Sequence, residues 1–234
     1  MRPFVSVWKA FGYVLGVLVV VLAVVQFWFF AQILYWVGHD PQTTRFMETR
    51  LRAIRENIPG ATLKQQWMDY GNISIHLKRA IIVAEDAKFI DHEGFDWTGI
   101  QQAMEKNQKR GKIVAGGSTL TQQLAKNLFL SGERSALRKG EEAIIAAMLE
   151  AVMAKRRIFE LYLNVAEWGE GVFGAEAAAR HYFGVSAAKL SPEQSARLAA
   201  MLPRPQYYDR HRASPYLAQY SETILARMPS AQVP

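Results

Sequence analysis

Between Ala10 and Gly38 the chain runs for 29 residues without a charge, AFGYVLGVLVVVLAVVQFWFFAQILYWVG. A helix crosses the hydrocarbon core of a bilayer in about 20 apolar residues, so this run spans it with length left for tilt. A cleaved leader is the competing explanation. Its apolar stretch would be about 7–15 residues, closed by small residues at a cleavage site. This run is far longer and carries Trp28, Tyr35 and Trp36 toward its far end, rings that settle at a membrane interface. Arg2, Lys9 and the amino terminus precede it, and no acid does. Positive charge on that side predicts a cytoplasmic N-terminus at 1–9, a span at 10–38 and everything beyond on the opposite face. The chain reads as a single-pass, anchored protein.

The remainder must therefore work outside the cytoplasm. The formal net charge is +7, and the two basic residues before Gly38 leave +5 for the exported part. A basic domain tethered to a membrane favours anionic partners such as lipid headgroups, phosphates or an acidic polymer, and its location argues against nucleic acid. With no cysteine in the sequence, neither disulfides nor thiol chemistry contributes.

Residues 39–60 read as a linker with a short basic helix, ended by Pro59-Gly60, and 61–234 as the working domain. The apolar spacing predicts helices over 74–90, 98–109, 119–130, 135–155, 158–164, 175–182, 192–202 and 216–227. No sustained alternation of period two and no hairpin signal stands out. The expected class is mainly α, preceded by one transmembrane helix.

Candidate chemistry lies in three places. In AIIVAEDAKFIDHEGFDW (80–97), five acids crowd one histidine. Glu85 has Ile81, Ile82 and Phe89 on its helical face, and Asp86 has Ile82, Val83 and Ile90, so helical geometry leaves both as candidates for a buried, reactive carboxylate. Asp91, Glu93 and Asp96 fall past the expected helix, where exposed turn acids are ordinary. His92 stands apart from other ligand types, which argues against zinc.

In GGSTLTQQLAKN (116–127), a glycine pair leads into a helix start with Thr119 and Gln122 at capping-box spacing. Ser118, Gln122 and Lys126 recur every four residues as a polar row beside Leu120, Leu124 and Leu128, and Arg134, Arg138 and Lys139 follow. This is either an ordinary capped amphipathic helix or a diphosphate cradle, in which free backbone N–H groups at the helix start would face an anion. The lysine does not sit in a Walker arrangement. In the next helix, Glu142 falls on the stripe of Ile145, Leu149 and Val152, where a carboxylate must be paired, neutralised or functional. Arg138, four residues back, is an available partner. Two acids on apolar stripes suit glycosyl chemistry, and a diphosphate cradle would suit a sugar diphosphate donor.

EDAKFIDHEG (85–94), GGSTLTQQLAKNLFL (116–130), RKGEEA (138–143), KRRIFELYLN (155–164) and AEWGEGVFGAEAAARHYFG (166–184) resemble, in order, the motifs of the peptidoglycan glycosyltransferases. These are the transglycosylase domains of penicillin-binding proteins and their monofunctional relatives, and the likeness covers about residues 60–215. It implies a lysozyme-like, mostly helical domain with a smaller membrane-proximal lobe on the periplasmic side of the bacterial inner membrane. It further implies polymerisation of lipid II into a growing glycan chain; the alternative is a lysozyme-like hydrolase or lytic transglycosylase that cleaves strands. By resemblance Glu85 is the general base and Asp86 its supporting partner. Glu142 is the second catalytic glutamate, orienting basic residues or holding a divalent ion, Mg²⁺ or Mn²⁺; no organic cofactor is implied. Ser118, Thr119, Gln122, Lys126, Arg134 and Lys139 match the donor side. Membrane lipid and proteins of cell division or elongation are the implied partners. The chain departs from the common pattern at Val114-Ala115-Gly116, and at Gln101, Gln102 and Ala103, where many members carry an arginine. Ser186-Ala-Ala-Lys189 spells the SxxK of transpeptidases without the SDN or KTG that accompany it, and is read as coincidence.

Overall fold

The computed structural model describes residues 2–112, 116–130 and 135–234, with side chains from Trp8 onward. The chain divides into two units, Met1–Asp40 and Pro41–Pro234. The first is one helix, α1 (Arg2–Trp36). Its stretch Trp8–Trp36 has a mean hydropathy of 2.7 over its most apolar window. At 1.5 Å per residue its 29 residues reach about 43 Å, longer than the roughly 30 Å core of a bilayer. His39 closes the helix, stacking on Tyr35 at 4.1 Å between ring centroids, with its Nδ1 3.0 Å from the Tyr35 carbonyl oxygen.

The second unit is mainly α, as the sequence predicts. α2 (Arg45–Asn57) starts on Thr44, whose hydroxyl accepts from the Met47 amide, and packs on the helix Leu120–Phe129. The unit therefore takes in the segment expected as linker. α3 (Ile75–Glu85), α4 (Trp97–Arg110), α5 (Leu120–Phe129), α6 (Ala136–Val152) and α7 (Lys155–Val165) follow, then α8 (Ala175–Phe183), α9 (Pro192–Met201), α10 (Pro205–Arg210) and α11 (Pro215–Arg227). α3, α9 and α11 pack on one another, and α5 packs on α6 and α7. The apolar stripes of these helices meet in a closed core: Leu77, Ile81, Leu120, Leu124, Ile145, Leu149 and Phe159 are all fully buried.

Three differences from the expected elements have physical causes. α3 ends at Glu85 rather than near Ile90, because Asp86 leaves the helical backbone region, at φ −160° and ψ 77°, and its carboxylate binds the Leu120 amide at the start of α5. The expected helix over 135–155 stops at Val152; Met153 and Ala154 are extended, and α7 starts afresh at Lys155. A small sheet exists where none was expected: β1 (Lys64–Gln65) runs parallel to β3 (Val172–Phe173), which pairs antiparallel with β2 (Glu167–Gly169) in the order β1-β3-β2. Strands of two or three residues are too short to show alternation, and every residue of β2 and β3 is buried.

The sheet is tied to the helices at two points. Trp168 donates its indole N–H to the Leu198 carbonyl at 3.2 Å. Gly174 has φ +84°, and a Cβ there would lie 2.8 Å from the Asn164 carbonyl oxygen, so only glycine fits between β3 and α8.

Candidate active site

Glu85 and Asp86 part company because the helix ends between them. Glu85, the last residue of α3, lines a cleft of about 720 Å³ together with Phe46, Gln123, Lys126, Tyr220 and the Leu202-Pro203 turn. Gln123 donates its side-chain N–H to Glu85 Oε2 at 2.7 Å, while Oε1 is buried with no partner among the described residues. Burial pushes the Glu85 carboxyl above its ordinary range; the Gln123 hydrogen bond and the Lys126 charge pull it back in part, and Asp86 adds to the rise.

Asp86 does not line this cleft. Its Oδ2 accepts from the Leu120 amide at 2.9 Å, and both its oxygens lie 3.0–3.1 Å from His92 Nε2. It thus joins the end of α3 to the start of α5, and His92, which stood apart in the sequence, is its second partner. Asp96 caps α4 by accepting from the Gly99 amide, and Asp91 and Glu93 are exposed.

The start of α5 differs from the expected backbone cradle. The Leu120 amide is taken by Asp86, the Gln122 amide by the Thr119 hydroxyl, and the Thr119 amide by Gln122 Oε1. Thr119 also donates its hydroxyl to the Gly94 carbonyl at 2.7 Å. The capping box draws Thr119 and Gln122 into the interior, so neither reaches the cleft, and those amides hold protein rather than an anion. The predicted row of Ser118, Gln122 and Lys126 is therefore split. Ser118 and Lys126 line the cleft, and its glutamine is Gln123, one residue on. Of the glycine pair, Gly116 lines the cleft and Gly117 gives close approach to α4, since a Cβ there would sit 3.1 Å from Ile100 Cα. Gln101 and Gln102 are exposed and outside the cleft; Val114, Ala115 and Arg134 lie outside the described residues.

Opposite α5, α6 supplies Arg138, Lys139 and Glu142. Glu142 is 3% exposed and accepts from both neighbours: Arg138 at 2.7 Å on Oε2 and Lys139 on Oε1. Lys139 also donates to the Ser118 hydroxyl at 2.9 Å. Arg138 Nε is buried without a partner among the described residues. Burial lowers the pKa of Lys126 below its ordinary value, with Glu142 the largest influence in the other direction. Three cations and two carboxylates thus share one cleft, a net charge of +1 when all are ionised.

This donor set does not fit a metal ion held by the protein alone. Glu142 is engaged at both oxygens by cationic side chains, and the described residues contain no cluster of three or more His, Cys, Asp or Glu side chains able to hold an ion.

A second chamber of about 540 Å³ adjoins the first and shares Phe46, Gln123, Lys126, Leu202 and Pro203 with it. Its own walls include Tyr162, Glu167, Arg204 and Arg210. Sequence reasoning missed Gln123, Tyr162, Tyr220 and Phe46. The doubled glutamine held a usable signal: once a capping box claims Gln122, its neighbour is rotated about 100° onto another face.

A family model described as transglycosylase matches residues 52–229. The chain belongs to the transglycosylase family, whose domain has the lysozyme-like helical fold. It is similar to the biosynthetic peptidoglycan transglycosylase of Dechloromonas aromatica, with 64% identity over 209 residues, covering 89% of this chain and 90% of that one. Proteins of the same name from Methylobacillus flagellatus and a Janthinobacterium species are 60% and 57% identical, covering 95% and 97% of this chain and 96% and 98% of theirs.

Proposed function

We propose that the chain polymerises lipid II into β-1,4-linked glycan strands. One observation carries the reading: Glu85, with an unpartnered oxygen, lines the same cleft as Lys126, Arg138 and Lys139. A carboxylate alone suits either making or breaking a glycosidic bond. The cationic cluster suits a diphosphate leaving group, and a neutral glycosidic bond in a finished strand offers it nothing to neutralise.

Glu85 accepts the proton of the acceptor's GlcNAc 4-hydroxyl. The oxygen attacks C1 of the donor's MurNAc, the bond from C1 to the diphosphate oxygen breaks, and undecaprenyl diphosphate leaves with the electron pair. Attack opposite an α-linked diphosphate inverts the centre and gives the β bond. A positioned base contributes about 10²–10⁴ in rate, and a pKa raised toward the working pH makes it a stronger acceptor. Lys126, Arg138 and Lys139 meet the charge growing on the leaving group, and Glu142 holds the last two in place. Ser118 sets Lys139 from the other side. The long apolar helix keeps the enzyme where its lipid-borne substrate resides, with Arg2 and Lys9 favouring a cytoplasmic N-terminus and a periplasmic catalytic unit.

The test uses detergent-solubilised full chain and fluorescent lipid II, with products separated on a gel. Wild type is expected to give a ladder that lysozyme digests, and Glu85→Gln none. Shortening of preformed strands without polymer would move the protein to the lytic class.

A further inference from the structure

Glu85 is held from one side only, and the residues that hold it form a chain across two helices. Gln123 on α5 donates to Glu85 Oε2 at 2.7 Å, and Tyr162 on α7 donates its hydroxyl to Gln123 Oε1 at 3.1 Å. Tyr162 is 1% exposed. The polarity of this chain follows from chemistry. An ionised carboxylate only accepts, so the amide nitrogen must face Glu85 and the amide oxygen must face the tyrosine. A flipped amide would set two acceptors against each other.

Resting on the polymerase reading, we propose that Tyr162 and Gln123 act together as positioning residues, fixing the orientation in which the Glu85 carboxylate receives the acceptor's proton. Tyr162 acts through Gln123. It stays a donor across the working range, because burial and the nearby charges of Glu85 and Asp86 raise its hydroxyl well above the ordinary tyrosine value. The groups around Glu85 are Asp86 at its own helix end, Gln123 and Lys126 from α5, Tyr162 from α7 and Tyr220 from α11. Of these, Gln123 is the one hydrogen-bonded to the Glu85 carboxylate. Losing that bond raises the Glu85 pKa, since a hydrogen bond to the charged form favours it.

Full-length wild type, Tyr162→Phe, Gln123→Ala and the double variant are compared in detergent. Gln123→Ala should lower kcat about 10–100-fold, the size expected for a hydrogen bond to a charged group, and Tyr162→Phe about 3–10-fold. Both should move the acidic limb of kcat to higher pH. The double variant should be no slower than Gln123→Ala, because Tyr162 has no route to Glu85 once the amide is gone. Independent, additive losses, or Tyr162→Phe with the wild-type kcat and acidic limb, overturn the proposal. Glu85 is also titrated without substrate, from its ¹³C-labelled carboxyl resonance. An upward pKa in both single variants supports the lock even if lipid II is not the substrate, and an unmoved pKa sinks it even if wild type polymerises.

Discussion

Glu142→Gln removes one negative charge and leaves the side-chain shape nearly unchanged. In the wild type that charge binds two cations, Arg138 with a side chain 18% exposed and Lys139 at 46%. A hydrogen bond between charged groups contributes about 1.5–3 kcal/mol when shielded from water. The Arg138 bond is near the lower end of that range, and the Lys139 bond, screened by solvent, near 0.5 kcal/mol. The substitution should therefore destabilise the folded unit by about 2 kcal/mol, which lowers Tm by about 4–8 °C at this size. It should also let both cations drift from the leaving group, and misplacement on that scale costs about 10–100-fold in kcat. Lys126 supplies a third readout. The Glu142 charge raises the Lys126 pKa against the effect of burial, so its loss lets Lys126 deprotonate at lower pH, and the alkaline limb of activity should move down. Thermal melts and lipid II polymerisation across pH measure all three. A variant that melts within about 1 °C of wild type and polymerises at the wild-type rate would refute the idea that Glu142 organises the cations.

Three further outcomes follow from the same geometry. Glu85→Gln should melt higher than wild type at neutral pH while losing activity. The folded-state pKa of Glu85 is raised, so the wild type is favoured below the unfolded value and loses that advantage as pH climbs through the folded one; the gap between the two proteins should shrink in acid melts. Asp86→Asn weakens the hold on the Leu120 amide and His92, and should destabilise by about 1–3 kcal/mol in denaturant titrations. Its KM for lipid II should change little, because Asp86 does not line the cleft. Gly174→Ala forces a Cβ to 2.8 Å from the Asn164 carbonyl at φ +84°, and should cost about 2–4 kcal/mol by the same titration.

The sequence was most legible where periodicity runs long. α5, α8, α9 and α11 lie within two residues of their expected bounds, because apolar stripes and capping residues such as Thr119 and Ser191 act locally. The break after Val152 was invisible, since Met153 and Ala154 are good helix formers and tertiary packing, not propensity, opens the chain there. In the candidate cleft the sequence pointed to most of the charged residues and to Ser118, but not to Phe46, Gln123 or Tyr220. Glu85, Ser118, Lys126, Lys139 and Glu142 all line the cleft. Thr119 and Gln122 do not, because a capping box and an amphipathic row use the same spacing, and only the Asp86 and Gly94 contacts decide which interpretation holds. Tyr162 lies 39 residues beyond the Gln123 it touches, a pairing that no local pattern reveals.

The central claim is that Glu85 and the cationic cluster serve one bond-forming event with a diphosphate leaving group. The most direct measurement follows purified full chain turning over isotopically labelled lipid II, reading the new anomeric signal by NMR and the released lipid by mass spectrometry. The account predicts a β-1,4 linkage and one undecaprenyl diphosphate for each bond formed. An α linkage, or glycan fragments appearing without released undecaprenyl diphosphate, would contradict it.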